Sequence, residues 1–144
     1  MNIHFTSHDP KECAQYLDDV RHRKMMSENF QMFATALGLN NVSKDFYPIK
    51  VNGNLYKDQG HKHHLSTLWV AESRENMLWL CDYTQALYER YKRTKGKAFR
   101  WIPFNLLRVR QGALKLPSKG LTEKPNCAAN DSHGVSYKHI DCIN

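Results

Sequence analysis

The stretch Leu17-Asp18-Asp19-Val20-Arg21-His22-Arg23-Lys24-Met25-Met26-Ser27-Glu28-Asn29-Phe30-Gln31 decides how this chain folds. On a helix, at about 100° per residue, Met26, Phe30, Phe33 and Leu37 fall on one side and make a core face. Arg21, Lys24, Glu28 and Gln31, three and four apart, fall roughly opposite and face water or a ligand. One apolar and one charged stripe on the same segment is the signature of an amphipathic helix, so a helix-rich fold is expected.

Working toward the N-terminus, Asp9-Pro10-Lys11-Glu12 reads as a helix start. Asp9 can cap free N–H groups, Pro10 suits the first helical position, and Glu12 stands where a capping box places its acid. The helix, or helix pair, then runs to Leu37 with Gly38 as its stop signal. The residues before it, MNIHFTSH, are expected to form a short extended arm.

Toward the C-terminus, residues 39–60 are punctuated by Asn40-Asn41, Pro48 and Val51-Asn52-Gly53-Asn54. They read as a long connecting loop with a small hairpin at Asn52-Gly53. From Ser66 to about Thr94 the helical pattern returns, with Ser73 as an internal cap and Met77, Leu80, Cys81, Thr84, Leu87 and Tyr91 as the buried stripe. A short helix is expected around Phe104 to Arg110. The expected division is a helical unit over 1–116 and an irregular, polar tail over 117–144.

The length of 144 residues is that of one domain, and the 41% hydrophobic and 11% aromatic fractions are those of a globular protein. Twenty-one Lys and Arg against fourteen Asp and Glu give +7. This favours an anionic partner, with nucleic acid first, a membrane surface second and plain solubility the alternative. No run approaches a spanning helix, which needs about 18 apolar residues. Cys13, Cys81, Cys127 and Cys142 show no CxxC spacing and the N-terminus lacks the blocks of a signal peptide, so reduced thiols in a cytoplasm are expected. Cys13 and Cys81 sit in helical patterns and read as core.

The chemistry-bearing residues cluster along residues 17–31, where Lys24 stands four before Glu28. By itself that spacing describes a surface ion pair. Arg21, Arg23, Lys24, Arg90, Lys92, Arg93, Lys95, Lys97, Arg100, Arg108 and Arg110 are the candidate phosphate contacts. Among them the run YERYKRTKGKAFRW mixes cations with aromatics that can stack or wedge, or else is a helix end whose cations suit its dipole. His61, His63 and His64 read as loop or phosphate-contacting histidines. A metal site on His61 and His64, completed by Asp58 or Glu28, is the less common alternative.

Leu17, Asp19 and Glu28 stand in the register of the signature helix of the phage endonuclease V family of pyrimidine dimer DNA glycosylases, which this segment resembles. Gly60-His61-Lys62-His63-His64-Leu65 followed by Leu68-Trp69-Val70-Ala71-Glu72-Ser73-Arg74-Glu75-Asn76-Met77-Leu78-Trp79-Leu80 resembles the family's histidine, aromatic and long helix. Arg21 stands where relatives carry histidine, and Ser27 and Gln31 stand near the places of the family's arginines. The aromatic-rich C-terminal segment of the family is reduced to Ser136-Tyr137-Lys138-His139.

The resemblance implies a compact all-α domain that kinks double-stranded DNA, flips a nucleotide and cleaves a glycosidic bond without metal or cofactor. In that family the nucleophile is the N-terminal α-amine. Aligning Ile3 puts the amine of Met1 in that place, since Asn2 is too large for efficient removal of the initiator methionine. An α-amine with a pKa near 7.7 to 8 is partly neutral at physiological pH and can attack C1′. Glu28 would then steady the oxocarbenium-like charge and move protons. The site set implied is Glu28, Met1 and Lys24 for chemistry, with Arg21, Arg23, Gln31, His64, Arg90, Arg93, Lys95, Arg100 and Arg108 on DNA, in the cytoplasm of a phage-infected cell. Two alternatives remain on the same scaffold: a phage enzyme that adds an amine or amino acid to a modified pyrimidine, and a non-catalytic protein that binds DNA or a host protein.

Overall fold

A computed structural model describes residues 7–16 and 19–125 of the chain. It is helical throughout: α1 (Pro10–Tyr16), α2 (Asp19–Leu39), a 3-10 turn (Lys44–Phe46), α3 (Leu65–Glu72), α4 (Arg74–Lys95) and α5 (Trp101–Ala113). Among the described residues no strand forms beyond one isolated antiparallel bridge, Ile49 to Leu55. No described helix is long and apolar enough to cross a membrane. The expected N-terminal arm lies for the most part outside the described residues.

Helix α4 is the centre of the fold, packed by α1, α2, α3 and α5, and α2 lies against α3, α4 and α5. Phe30, Phe33 and Leu37 are fully buried and Met26 nearly so. The core face read from periodicity is therefore the core. Burial also goes further round than one stripe: from Asn29 to Leu37 every residue is buried except Gln31, which is half-buried. The α4 stripe of Met77, Leu80, Cys81, Thr84, Leu87 and Tyr91 is buried as expected, and Cys13 and Cys81 are free buried thiols. Burial pushes the Cys81 thiol up to about 12, which leaves it an inert core residue.

The helix boundaries follow local chemistry. Ser73 ends α3 and caps α4 by accepting from the Asn76 N–H at 3.1 Å. Gly96 closes α4 in a left-handed conformation, φ 66°. The stop of α2 differs from expectation. Gly38 lies within the helix, and Asn41 at φ 57° ends it, as the Val42 N–H turns back to the Leu37 carbonyl. Gly38 is needed for space instead: a Cβ there would lie 2.8 Å from an Asp58 carboxylate oxygen and 2.9 Å from the Tyr47 hydroxyl. Helix α5 is longer than the expected 104–110, because Pro103 sits in its first turn, where a missing N–H removes no helical bond.

The long loop is held by side chains. Asn105, buried on α5, accepts from the Ile49 N–H at 2.8 Å and donates to its carbonyl at 2.7 Å, in the manner of a neighbouring strand. This supports the minimal hairpin around Asn52-Gly53, closed by Lys50 N–H to Asn54 carbonyl at 2.7 Å. Residues 117–125 run back over the α3–α4 corner, where Thr122 and buried Asn76 bond reciprocally. Residues 126–144 lie outside the described residues.

Candidate active site and nucleic-acid interface

Glu28 sits where α2 passes from solvent into the core. Its side chain is 17% exposed, and Lys24, one turn earlier and 72% exposed, reaches it at 3.7 Å. Such an i, i+4 pair contributes only about 0.3–0.5 kcal/mol and yields readily to a competing charge. Glu28 and Gln31 are thus the last polar openings before the continuous buried run, and they point to the same side as Lys24.

One turn beyond Gln31 the same stripe is closed. Thr35 donates its hydroxyl to the Gly60 carbonyl at 2.7 Å, so the loop carrying the histidines crosses the C-terminal end of the Glu28 stripe. His64 ends that loop as the N-cap of α3, and its Nδ1 accepts from the Ser66 N–H at 3.2 Å. Burial, aided by the charge of nearby His61, holds His64 below its ordinary value of 6.5. The ring is therefore neutral at pH 7, with Nδ1 accepting and Nε2–H left to donate. His64 is a neutral hydrogen-bond donor and not the cationic phosphate contact that its sequence context also allowed.

The metal alternative does not assemble. His61 takes φ 56° in a turn before α3 begins, so His61 and His64 do not share a helical face. Asp58 accepts from the Tyr47 hydroxyl at 2.7 Å, which holds its carboxyl below the usual range. Among the described residues no three His, Cys, Asp or Glu side chains lie together as a metal site.

Moving round α2 from Glu28, the packing beneath the surface turns aromatic. Ser27 hydrogen-bonds the Tyr56 phenol, whose pKa burial raises and Ser27 pulls back. Tyr56 stacks with Phe30 at 6.1 Å, and Phe30 meets Trp101 at 5.3 Å. Farther round, Arg23 lies over Phe99 at 5.6 Å, and Phe99 packs on Tyr91. Lys50 stands over Tyr56 at 5.7 Å. Tyr56 and Lys50 were missed by sequence reasoning, because a loop residue carries no periodicity that ties it to Phe30. The Phe99 and Trp101 rings belong to the cation-aromatic run already singled out.

The expected DNA contacts divide. Arg93, Lys95, Lys97 and Arg100 are exposed at the α4 end and the following turn. Since Phe99 in that turn meets Arg23, the turn lies beside the N-terminal half of α2, whereas Arg93 lines the cleft between α1 and α4 with Asp9, Gln15 and Glu89. Arg90 instead donates to the Ala14 and Gln15 carbonyls at 3.0 and 3.1 Å, closing the end of α1. Arg108 donates through Nε to the Tyr47 carbonyl at 2.9 Å, and Arg110 pairs with Asp82 at 2.9 Å. Lys92 pairs with Glu89 at 3.1 Å. Met1 and the Arg21 side chain lie outside the described residues.

A carboxylate at the edge of a core, a neutral imidazole donor nearby and a cation-rich aromatic flank suit a ligand that is anionic outside and flat inside. A family model described as pyrimidine dimer DNA glycosylase matches residues 1–100 of the chain. No curated protein and no solved structure matches it.

Proposed function

The chain belongs to the pyrimidine dimer DNA glycosylase family, and from that premise we propose that it cleaves the N-glycosidic bond of a nucleotide in double-stranded DNA, with Glu28 as its catalytic carboxylate. The observation that carries this reading is the position of Glu28. It is a half-buried acid on α2, inside the matched region, whose partner Lys24 is exposed and replaceable.

The chemistry follows from the groups. The α-amine of the N-terminus, Met1 here, attacks C1′ as the base departs with the glycosidic electron pair; the nitrogen then loses its protons as the C1′–O4′ bond opens, O4′ keeping that electron pair and taking a proton, which leaves an imine at C1′. The Glu28 carboxylate offsets the positive charge that develops on the sugar, then takes a C2′ proton so that the 3′ phosphate can leave. Gln31 and the His64 Nε2–H are neutral donors suited to the edge of a flipped base. Arg21, Arg23, Lys24, Arg93, Lys95 and Arg100 supply phosphate contacts, whereas Arg90 and Arg108 act by fixing the backbone that carries them. The unit that acts on DNA is residues 1–116, with the tail from 117 as its support, working without cofactor in the cytoplasm of an infected cell.

Borohydride trapping tests this reading. Incubated with duplex DNA carrying a thymine photodimer or an abasic site, wild type should become covalently fixed to the strand. Glu28→Gln should keep its affinity and lose turnover by about a hundredfold or more, the scale of a lost general acid-base group. Turnover unchanged by that substitution removes Glu28 from the chemistry, and absence of any trapped species removes the amine.

A second reading is favoured by Ser27 and Gln31, which leave the glutamate flanked by neutral side chains. An enzyme that attaches an amine to a modified pyrimidine could use these neutral side chains on the base edge, near the places where the family that the segment resembles carries arginines. Nucleoside mass spectrometry would then show a gain in mass without strand scission. A protein that binds DNA and gives neither product is a binder alone.

A further inference from the structure

Helix α5 begins at Trp101, immediately after the family match ends at residue 100. Its buried side is complete: Ile102, Leu106, Val109 and Ala113 enter the core. Gly112 lets it approach closely, since a Cβ there would lie 2.9 Å from Phe46 and 3.0 Å from Leu37. The opposite side is unusual. Phe104, Leu107 and Leu114 are 53%, 59% and 56% exposed, and at 100° per residue they fall within one arc of about 80°.

Arg100 falls in the same arc, Lys115 and Arg108 lie about 20° and 40° beyond its edge, and α5 contains no Asp or Glu. The Arg108 guanidinium lies 5.9 Å from the Phe104 ring and is itself tied to the Tyr47 carbonyl at 2.9 Å. A fixed cation therefore props an exposed phenyl ring outward. Three bare apolar side chains rimmed by cations, with Asp82 on the far edge already paired to Arg110 at 2.9 Å, call for a partner that is anionic at its edge and apolar within. Duplex DNA has that make-up, with phosphates outside and stacked bases inside.

Packed rings in the core tie the root of this face to the helix that carries Glu28. Trp101, one turn before Phe104, meets Phe30, Phe30 stacks with Tyr56, and Tyr56 bonds Ser27, the neighbour of Glu28. We propose that Phe104 is a wedge that enters the base stack beside the nucleotide acted on at Glu28, while Leu107 and Leu114 lie against the groove it opens. This rests on the DNA-acting reading above. Removing a nucleotide from the stack leaves unstacked neighbours, and an aromatic ring that replaces the lost contact offsets part of that cost. Arg100 and Lys115 straddle the wedge on phosphates.

The test uses the full chain and a duplex with 2-aminopurine beside a tetrahydrofuran abasic site, whose fluorescence rises when the neighbour is unstacked. Wild type should bind and raise the signal. Phe104→Ala should abolish the rise and weaken binding about five- to a hundredfold, the effect of one lost base-aromatic stack, with the salt dependence of binding unchanged. Arg100→Ala should do the reverse, lowering the slope of log affinity against log salt by about 1 and keeping the rise. Phe104→Trp should restore both signals, which a folding defect would not permit.

Phe104→Ala that binds and unstacks like wild type overturns the wedge and leaves the DNA reading intact. Sedimentation showing a dimer that Leu107→Asp converts to monomer also overturns it, since the face would then join two copies. Failure of wild type to bind the duplex sinks the DNA-acting reading itself, and the wedge with it.

Discussion

The α3–α4 corner and the N-terminal half of α2 are both rich in polar side chains, yet they treat them in opposite ways. At the corner most polar groups are matched within the protein, Thr67 Oγ1 and Arg74 Nε being the buried exceptions among the described residues. Buried Asn76 donates to the Trp69 carbonyl and the Thr122 hydroxyl, both at 2.7 Å, and accepts from the Thr122 N–H at 3.0 Å. Glu75 accepts from the Ser118 hydroxyl and the Lys119 and Gly120 amides, which hold it below the usual carboxylate range. On α2 the groups are left open. Lys24 is exposed, and Asn29, although fully buried, donates to Thr84 at 3.0 Å while its Oδ1 finds no protein partner. Internal matching makes a corner rigid, whereas unmatched groups remain available to a ligand or tolerant of change.

The largest expected effect breaks that contrast at its firm end. Asn76→Ala removes three hydrogen bonds and strands buried partners, for a loss of about 3 kcal/mol or more in urea unfolding. Asn29→Ala removes one hydrogen bond and an orphaned acceptor together, so it should cost about 1–2 kcal/mol. Equal losses would mean that the corner is no better matched than α2.

An intermediate effect concerns pH. The folded chain holds His64 below 6.5, chiefly by burial, so over that interval the unfolded chain binds a proton that the folded chain does not. Stability is fully present above about 6.5 and falls as pH drops through it toward the folded value. His64→Asn keeps a capping side chain without the titration. Thermal unfolding between pH 7.5 and 5 should therefore fall less in the variant. A wild-type curve equally flat would show that the imidazole is free to charge in place, and the Nε2–H donor assigned to it would have no basis.

The same contrast explains what the amino-acid order disclosed. The core stripes of α2 and α4 and the Ser73 break were legible because burial there follows one helical period, so neighbours along the chain report it. The resemblance around Leu17, Asp19 and Glu28 pointed to the family that the match over residues 1–100 establishes. Side chains that act across the fold were not legible. Gly38 reads as a helix stop until Asp58 and Tyr47 are seen pressing on it. Arg90 and Arg108 read as phosphate contacts until each is found on a carbonyl from a distant segment. Charge in a sequence does not say whether it meets solvent or backbone. Tyr56 was hidden for the same reason, since only the folded loop brings it to Ser27 and Phe30.

The smallest expected effect is the sharpest. Were Lys24–Glu28 a structural pair, each side chain would depend on the other, as Asn76 and Thr122 do. The 3.7 Å separation and the exposure of Lys24 argue for weak coupling. A double-mutant cycle on stability with Lys24→Ala and Glu28→Gln should give about 0.5 kcal/mol or less. Each single variant should unfold within about 0.5 kcal/mol of wild type, because neither leaves a fully buried group unpaired. A coupling above about 1 kcal/mol would place Glu28 with the matched groups of the corner, as a carboxylate already committed to the fold. Weak coupling leaves it a half-buried charge with a replaceable partner, which is what a reacting sugar requires.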